Sequence, residues 1–233
     1  MGKTLNELGY ELYELYRATG KVTDSIDIRL FKDWIKQARA TFLKQRFDEP
    51  MSIIDEANVQ DLGAVTFTKV DSSLATQTSG KYMMRSSTRI PVTINRRGNI
   101  GTFTRIAPAD MLEKRFNFVS YDRALVSGNG KFNNNDIYAF VNDGYMYLIS
   151  KTNIHKYITS VNIKGVFINP QDAYNFRYGA GTWNDDMEFP VSQSIVMDMI
   201  NAIMDKKFKL IMTPLEDKVS NGTDDVTNIG VRK

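Results

Sequence analysis

Apolar residues recur at three- and four-residue steps near both ends of the 233-residue chain and alternate in its middle. This constrains the fold most, because a period of 3.6 and a period of 2 cannot share one element. Thr4–Ala18 places Leu5, Leu8, Leu12 and Leu15 with Tyr16 on one stripe. Thr4 followed three residues later by Glu7 is a capping-box pattern, and Gly20 is a stop. Asp24–Arg46 repeats the pattern through Ile28, Phe31, Trp34, Ile35, Ala38, Phe42 and Leu43, with Lys32, Asp33, Lys36 and Arg39 assigned to the other side. The short link Gly20–Thr23 predicts an antiparallel helical hairpin. Val191–Phe208 is a third helix, opened by Pro190, with Ile195, Met199, Ile200 and Ile203 as its stripe, ending before Pro214.

Between these ends the pattern is that of strands. Ala64–Val70 alternates and is rich in β-branched residues. Thr88–Ile94 contains Pro91, which restricts it to an edge strand or a bulge, and Ile100–Ile106 is a further strand. Ile137–Ser150 is the clearest β signal, two alternating runs flanking Asn142-Asp143-Gly144. Ser160–Ile168 is another strand, while Pro108–Arg115 and Asp172–Tyr178 are read as helical turns. The expected fold is α+β: a helical bundle built from both chain ends, a mostly antiparallel β insert, and an extended C-terminal arm. The expected divisions are residues 1–60 (helical hairpin), 61–189 (basic β-rich insert), 190–212 (a helix packing back on the hairpin) and 213–233 (the arm).

Composition narrows the chemistry. The chain has no Cys and one His, His155, so thiol catalysis, disulfides and thiolate metal sites are excluded. His155 has no surrounding motif and is read as a loop-end residue; no cofactor and no metal are expected. Ser127-Gly128-Asn129-Gly130-Lys131 misses the phosphate-loop spacing, with Leu125 where a Gly is needed and Phe132 where Ser or Thr is needed. Asp185, Asp186 and Glu188 form an acidic cluster read first as a solvated loop, or one facing a basic surface on a neighbour. Its alternative is a hydrolase site or a divalent-cation site. No window approaches a membrane span, and MGKTLNELGY has neither a secretory apolar core nor, with Asn6 at position 6, the myristoylation pattern. No membrane partner is expected, and the Asn221 glycosylation sequon is idle.

Charge is the most informative functional feature. The net charge is only +3, yet residues 81–131 hold ten bases against three acids. Arg85, Arg89, Arg96, Arg97, Arg105, Arg115 and Arg123 are the candidate patch, facing a partner or the phosphates of DNA without base readout. The segment Leu215–Lys233 is polar, with Leu215, Val219, Val226, Ile229 and Val231 as its apolar points. A segment of this kind gains order from a neighbouring chain, which makes it a candidate inter-subunit arm.

Three blocks of sequence, in order, resemble the virion structural proteins of crAss-like bacteriophages. The first is LNELGYELYELYRATGKVTD followed by IRLFKDWIKQARATFLKQ. The second is FVSYDRA with KFNNNDIYAFVNDGYMYLI. The third is SVNIKGVFINPQDAYNF, then FPVSQSIVMDMINAIMDKKFKLIMTPLEDKVSNGTDD. The resemblance implies a ring protein of the neck or tail, between portal and tail, similar to head-to-tail adaptors. It further implies a homo-oligomer of the portal's twelve-fold symmetry, contacts with portal and other ring or tail proteins, and a channel through which DNA leaves. Such a protein belongs to the virion and is assembled in the host cytoplasm. The family supplies no catalytic residues. The alternatives are a DNA-binding module and, on the acidic cluster, a hydrolase.

Overall fold

The computed structural model describes residues 2–19, 26–49, 53–70, 82–96, 100–109, 115–128 and 135–208. Arg97, Leu215, Val219, Val226 and Ile229, with the Asn221 sequon, lie outside the described residues. The chain is mixed α and β. Its helices are α1 (Leu5–Ala18), α2 (Ile28–Asp48), α3 (Tyr121–Val126), α4 (Pro170–Tyr178) and α5 (Gln193–Ile203). Its strands are β1 (Gln60–Lys69), β2 (Tyr82–Ser86), β3 (Asn95–Arg96), β4 (Ile100–Gly101), β5 (Phe103–Pro108), β6 (Asn117–Phe118), β7 (Tyr138–Asn142), β8 (Tyr145–Ser150) and β9 (Ser160–Gly165).

The terminal helices share one core. Leu5, Leu8, Leu12 and Tyr16 of α1 meet Phe31, Trp34, Ile35 and Leu43 of α2 and Ile195, Val196, Met199 and Ile200 of α5. The capping box at Thr4 and Glu7 is formed in both directions. α2 begins later than expected, because Asp27, rather than Asp24 or Ser25, caps it through Arg29 N. α5 begins at Gln193, beyond Pro190. A π turn, Met204–Phe208, follows α5, and Phe208 lies 5.4 Å from the Tyr16 ring and 6.0 Å from that of Phe31. These edge-on ring contacts fasten the last described residue to the helical hairpin.

Seven strands form a second layer in the order β5-β9-β1-β2-β8-β7-β6, antiparallel except where β6 runs parallel to β7. β1 is the corner: its first half pairs with β9 and its second half with β2. A bulge at Gly63, φ +74°, turns it, with Gly63 N donating to Asp61 Oδ1 at 2.8 Å. The ribbon curls until its two end strands touch. Phe116 N donates to Ile106 O at 2.7 Å, and the rings of Phe103 (β5) and Phe118 (β6) stand 4.6 Å apart. The interior is filled from all sides by Val65, Phe67, Met84, Ile106, Leu148 and Ile163 among others. The Asp143-Gly144 turn has φ +48° and +75°, the pair of left-handed residues that a tight β7–β8 hairpin needs.

Several expectations are corrected. Residues 88–92 form no strand; only Thr93 bridges, to Phe167. Pro108 is the last residue of β5, in register with Val161, and residues 110–114 of the expected helical turn lie outside the described residues. Tyr121–Val126, not anticipated, is a short helix on the outer face of β7, where Ala124 packs with Tyr138, Phe140 and Ile149.

Candidate functional site

Arg39 joins the two layers. It was assigned to the polar side of α2, yet it is 0% exposed. Its Nε donates to Pro190 O at 2.7 Å, Nη1 to Phe167 O at 2.8 Å and Nη2 to Asn58 O at 3.4 Å. The guanidinium therefore ties α2 to the β1 approach, the end of β9 and the entry to α5. Burial pushes its pKa down to about 9, so it remains charged at neutral pH. Asn58 completes the joint by accepting from Ser192 N through Oδ1 at 2.9 Å. Ile35, Arg39 and Leu43 follow one another at four-residue steps and so share one face, but that spacing alone does not say that the arginine among them is buried.

The acidic cluster is turned inward on the same chain. Asp185 Oδ2 accepts from Lys32 Nζ at 2.7 Å and Oδ1 from Trp183 Nε1 at 2.9 Å. Burial alone would raise the Asp185 carboxyl. The hydrogen bonds from Lys32 and Trp183 and the charges of Lys32 and Lys36 outweigh it and hold the group below the ordinary carboxylate range. Asp186 accepts from Asn6 Nδ2, and Glu188 Oε1 accepts from Gly2 N at 2.9 Å. Asn6 N donates to Asp185 O and Phe189 N to Lys3 O. Asp186 and Glu188 thus hold the start of α1 while staying exposed, as a solvated loop would, whereas the Asp185 side chain is tied to α2 and only its backbone oxygen meets α1. Among the described residues, no group of three or more His, Cys, Asp or Glu is placed to hold a metal ion. The backbone of His155 sits in a 3-10 turn, Ile154–Lys156.

The arginines do not form one continuous patch. Arg85 and Arg89 meet at the β7–β8 hairpin, their guanidinium carbons 4.8 and 5.5 Å from the centre of the Tyr145 ring. Arg89 also faces Asp143 at 3.5 Å, with two-thirds of its side chain exposed. Arg96 lies over Phe47 of α2, 5.8 Å from the ring centre. Arg123 is exposed on α3. Arg115 reaches across the closing seam to Thr104 O at 3.4 Å.

Arg105 belongs with a second group. It pairs in register with Lys164, and Lys164 with Asp61, so the three share the outer face of β5, β9 and β1. Asp61 Oδ2 lies 3.7 Å from Lys164 Nζ and 3.4 Å from Arg177 Nη1. One carboxylate thus serves two cations, Lys164 and Arg177. Lys164 and Arg177 fall outside the basic segment 81–131; only strand register and the packing of α4 on β1 reveal them.

A cleft of about 500 Å³ opens between the hairpin tip, residues 90–95, the closing seam and α3. Phe103, Phe118 and Val141 floor it, and Val92, 69% exposed, stands on its wall. The lining residues Ile90, Asn95 and Asp122 are the chain neighbours of Arg89, Arg96 and Arg123.

Among the described residues, no helix is long and apolar enough to cross a membrane. A family model described as phage tail ring protein 2 matches residues 20–226. The match leaves out α1 but covers the remaining helices and every strand. No curated protein matches the chain.

Proposed function

The chain belongs to the crAss-like phage tail ring protein 2 family, and from that premise we propose that identical copies close a ring in the portal-to-tail region of the virion. A phage tail ring protein is a structural component that assembles with other tail components. The family match supports the ring, since a ring requires a heterologous interface repeated by rotation until it closes. In this reading the ring has twelve copies, contacts the portal and neighbouring tail rings, and supports the channel through which DNA leaves. Assembly takes place in the host cytoplasm. Residues 1–60 and 190–212 act as one helical unit, and residues 61–189 as the sheet unit. The arm, through Leu215, Val219, Val226 and Ile229, reaches an adjacent subunit.

The surplus of cations on the outer sheet face supports a role facing phosphate or an acidic protein. Lys164 and Arg177 share Asp61, and Arg115 reaches the neighbouring Thr104 O. Contacts of this kind need charge density rather than base readout. The acidic cluster offers less to a catalytic reading, because Asp185, Asp186 and Glu188 each hold a structural partner.

A particle reconstruction tests the ring directly: copies of this chain around one axis are expected, and a solitary copy would refute it. Reversing charge at Arg115 and Lys164 (R115E with K164E) tests the face. The expected result is normal folding with loss of particle assembly or of DNA delivery. Unchanged assembly and delivery would remove the face from the mechanism.

A further inference from the structure

We propose that the 500 Å³ cleft beside the β7–β8 hairpin is the acceptor for the C-terminal arm of the neighbouring copy of this chain. This rests on the ring reading and names the surface that the arm meets. The cleft combines two properties. Its floor is apolar and aromatic, through Phe103, Phe118 and Val141, and Val92 offers a further exposed apolar surface. Cations flank it on two sides: the Arg89 side chain lies against Gly144 of the lining, and exposed Arg123 follows Asp122 on α3, whereas Arg96 is turned to Phe47 of α2. Asp143 and Asp122 temper this charge without cancelling it: Arg89 meets Asp143 only at 3.5 Å in an exposed pair, and such pairs hold weakly.

The arm carries the complementary pattern. Two acidic doublets, Glu216-Asp217 and Asp224-Asp225, are each followed closely by an apolar residue, Val219 and Val226, with Ile229 beyond. A segment laid in the cleft can place Val226 and Ile229 on the aromatic floor while Asp224 and Asp225 meet the arginines. Lys209–Lys233 comprises 25 residues, and an extended chain gains about 3.3 Å per residue, so the reach is roughly 80 Å. That exceeds the diameter of a domain of this size, and a neighbouring subunit is within range. Apolar anchors with a charged rim suit an arm that must find one register on its acceptor.

The absence of cysteine makes the test clean. Val92→Cys and Val226→Cys are introduced together into the full chain, virions are purified, and disulfides are formed by mild oxidation. The expected product is a ladder of covalent multimers of this chain on a non-reducing gel. Ile53→Cys, at a position 86% exposed on the α2–β1 connection, replaces Val92→Cys as the control and gives no ladder. Monomers closed on themselves, or no cross-link in virions that contain the chain in normal amount, overturn the proposal while leaving the ring intact. Absence of the chain from virions would instead overturn the ring reading. A second arm guards against a folding artefact. Charge reversal at Arg89 and Arg123 (R89E with R123E) abolishes the ladder, and D224R with D225R restores it. Failure of that rescue, with the doubly reversed protein folded, also counts against the arm-in-cleft contact.

Discussion

The helical layer and the closed sheet treat charge in opposite ways. In the helical layer several acids and bases are paired with one another. Lys32 binds Asp185 at 2.7 Å, Lys3 binds Glu11, and Asp186 and Glu188 hold the first residues of the chain. On the sheet two cations share Asp61, and Arg85 and Arg89 crowd one tyrosine ring. A layer whose charges are matched internally needs no partner for its own stability. One that keeps like charges together stores a preference for an anionic neighbour. The contrast favours the interaction role proposed above for the sheet.

Removing the bond between the layers is expected to have the largest effect. Arg39→Met keeps the length of the side chain but leaves three carbonyls, of Pro190, Phe167 and Asn58, without their donor. The expected loss is roughly 3–5 kcal/mol, since each buried carbonyl left without a donor costs about 1–3 kcal/mol. Total stabilities of domains are about 5–15 kcal/mol. Urea denaturation should therefore show a large fall in midpoint. A loss below about 1 kcal/mol would mean that the layers are held together by apolar packing alone.

A smaller effect is expected where the sheet closes. Gly165 is buried in β9, and a Cβ there would come within 2.8 Å of Thr102 O, a backbone atom that cannot swing aside. Gly165→Ala should cost about 1–3 kcal/mol through forced displacement of the 102–103 strand. Because Phe103 floors the proposed arm cleft, the same variant should also lower arm cross-linking. A helical counterpart, Thr4→Ala, should cost about 1 kcal/mol by removing the cap on Glu7 N, and leave cross-linking untouched. Thermal melts and cross-link yields on the two proteins separate the regions; equal effects on both readouts would erase the distinction.

What could be read from the sequence follows the range of the interactions involved. The Thr4/Glu7 cap and the Asp143-Gly144 turn depend on residues within a few positions of each other, and both formed as expected. The apolar stripes of α1, α2 and α5 were legible for the same reason. Arg39 was misplaced because a buried arginine and a surface arginine look alike until the carbonyls that receive it are in place, and these lie 19, 128 and 151 positions away. The closing of β5 on β6 was invisible, since β6 has only two residues and its parallel partner gives no hairpin signal. The basic segment was visible as composition. Its division between the hairpin tip and the outer face of β9 depends on register, which brought in Lys164 and Arg177 from outside it.

The least disruptive test concerns the matched charges of the helical layer. Asp185 titrates below its unfolded value because Lys32 and Trp183 favour the carboxylate in spite of burial. A depressed carboxyl contributes stability that is complete above the unfolded value near 4 and is lost as pH falls through the lower folded value. Asp185→Asn removes the ion pair with Lys32 while leaving an oxygen to accept from Trp183 Nε1. The loss at pH 7 should be under about 1 kcal/mol, since the pair is partly open to water. The difference between the two proteins should shrink as pH drops below 4 and vanish once the wild-type carboxyl is protonated. Melting temperatures measured from pH 7 down to about pH 2.5 would show this convergence. If a constant gap persisted across that range, Asp185 would be stabilising the fold through packing, and the helical layer would owe less to its paired charges than the contrast with the sheet requires.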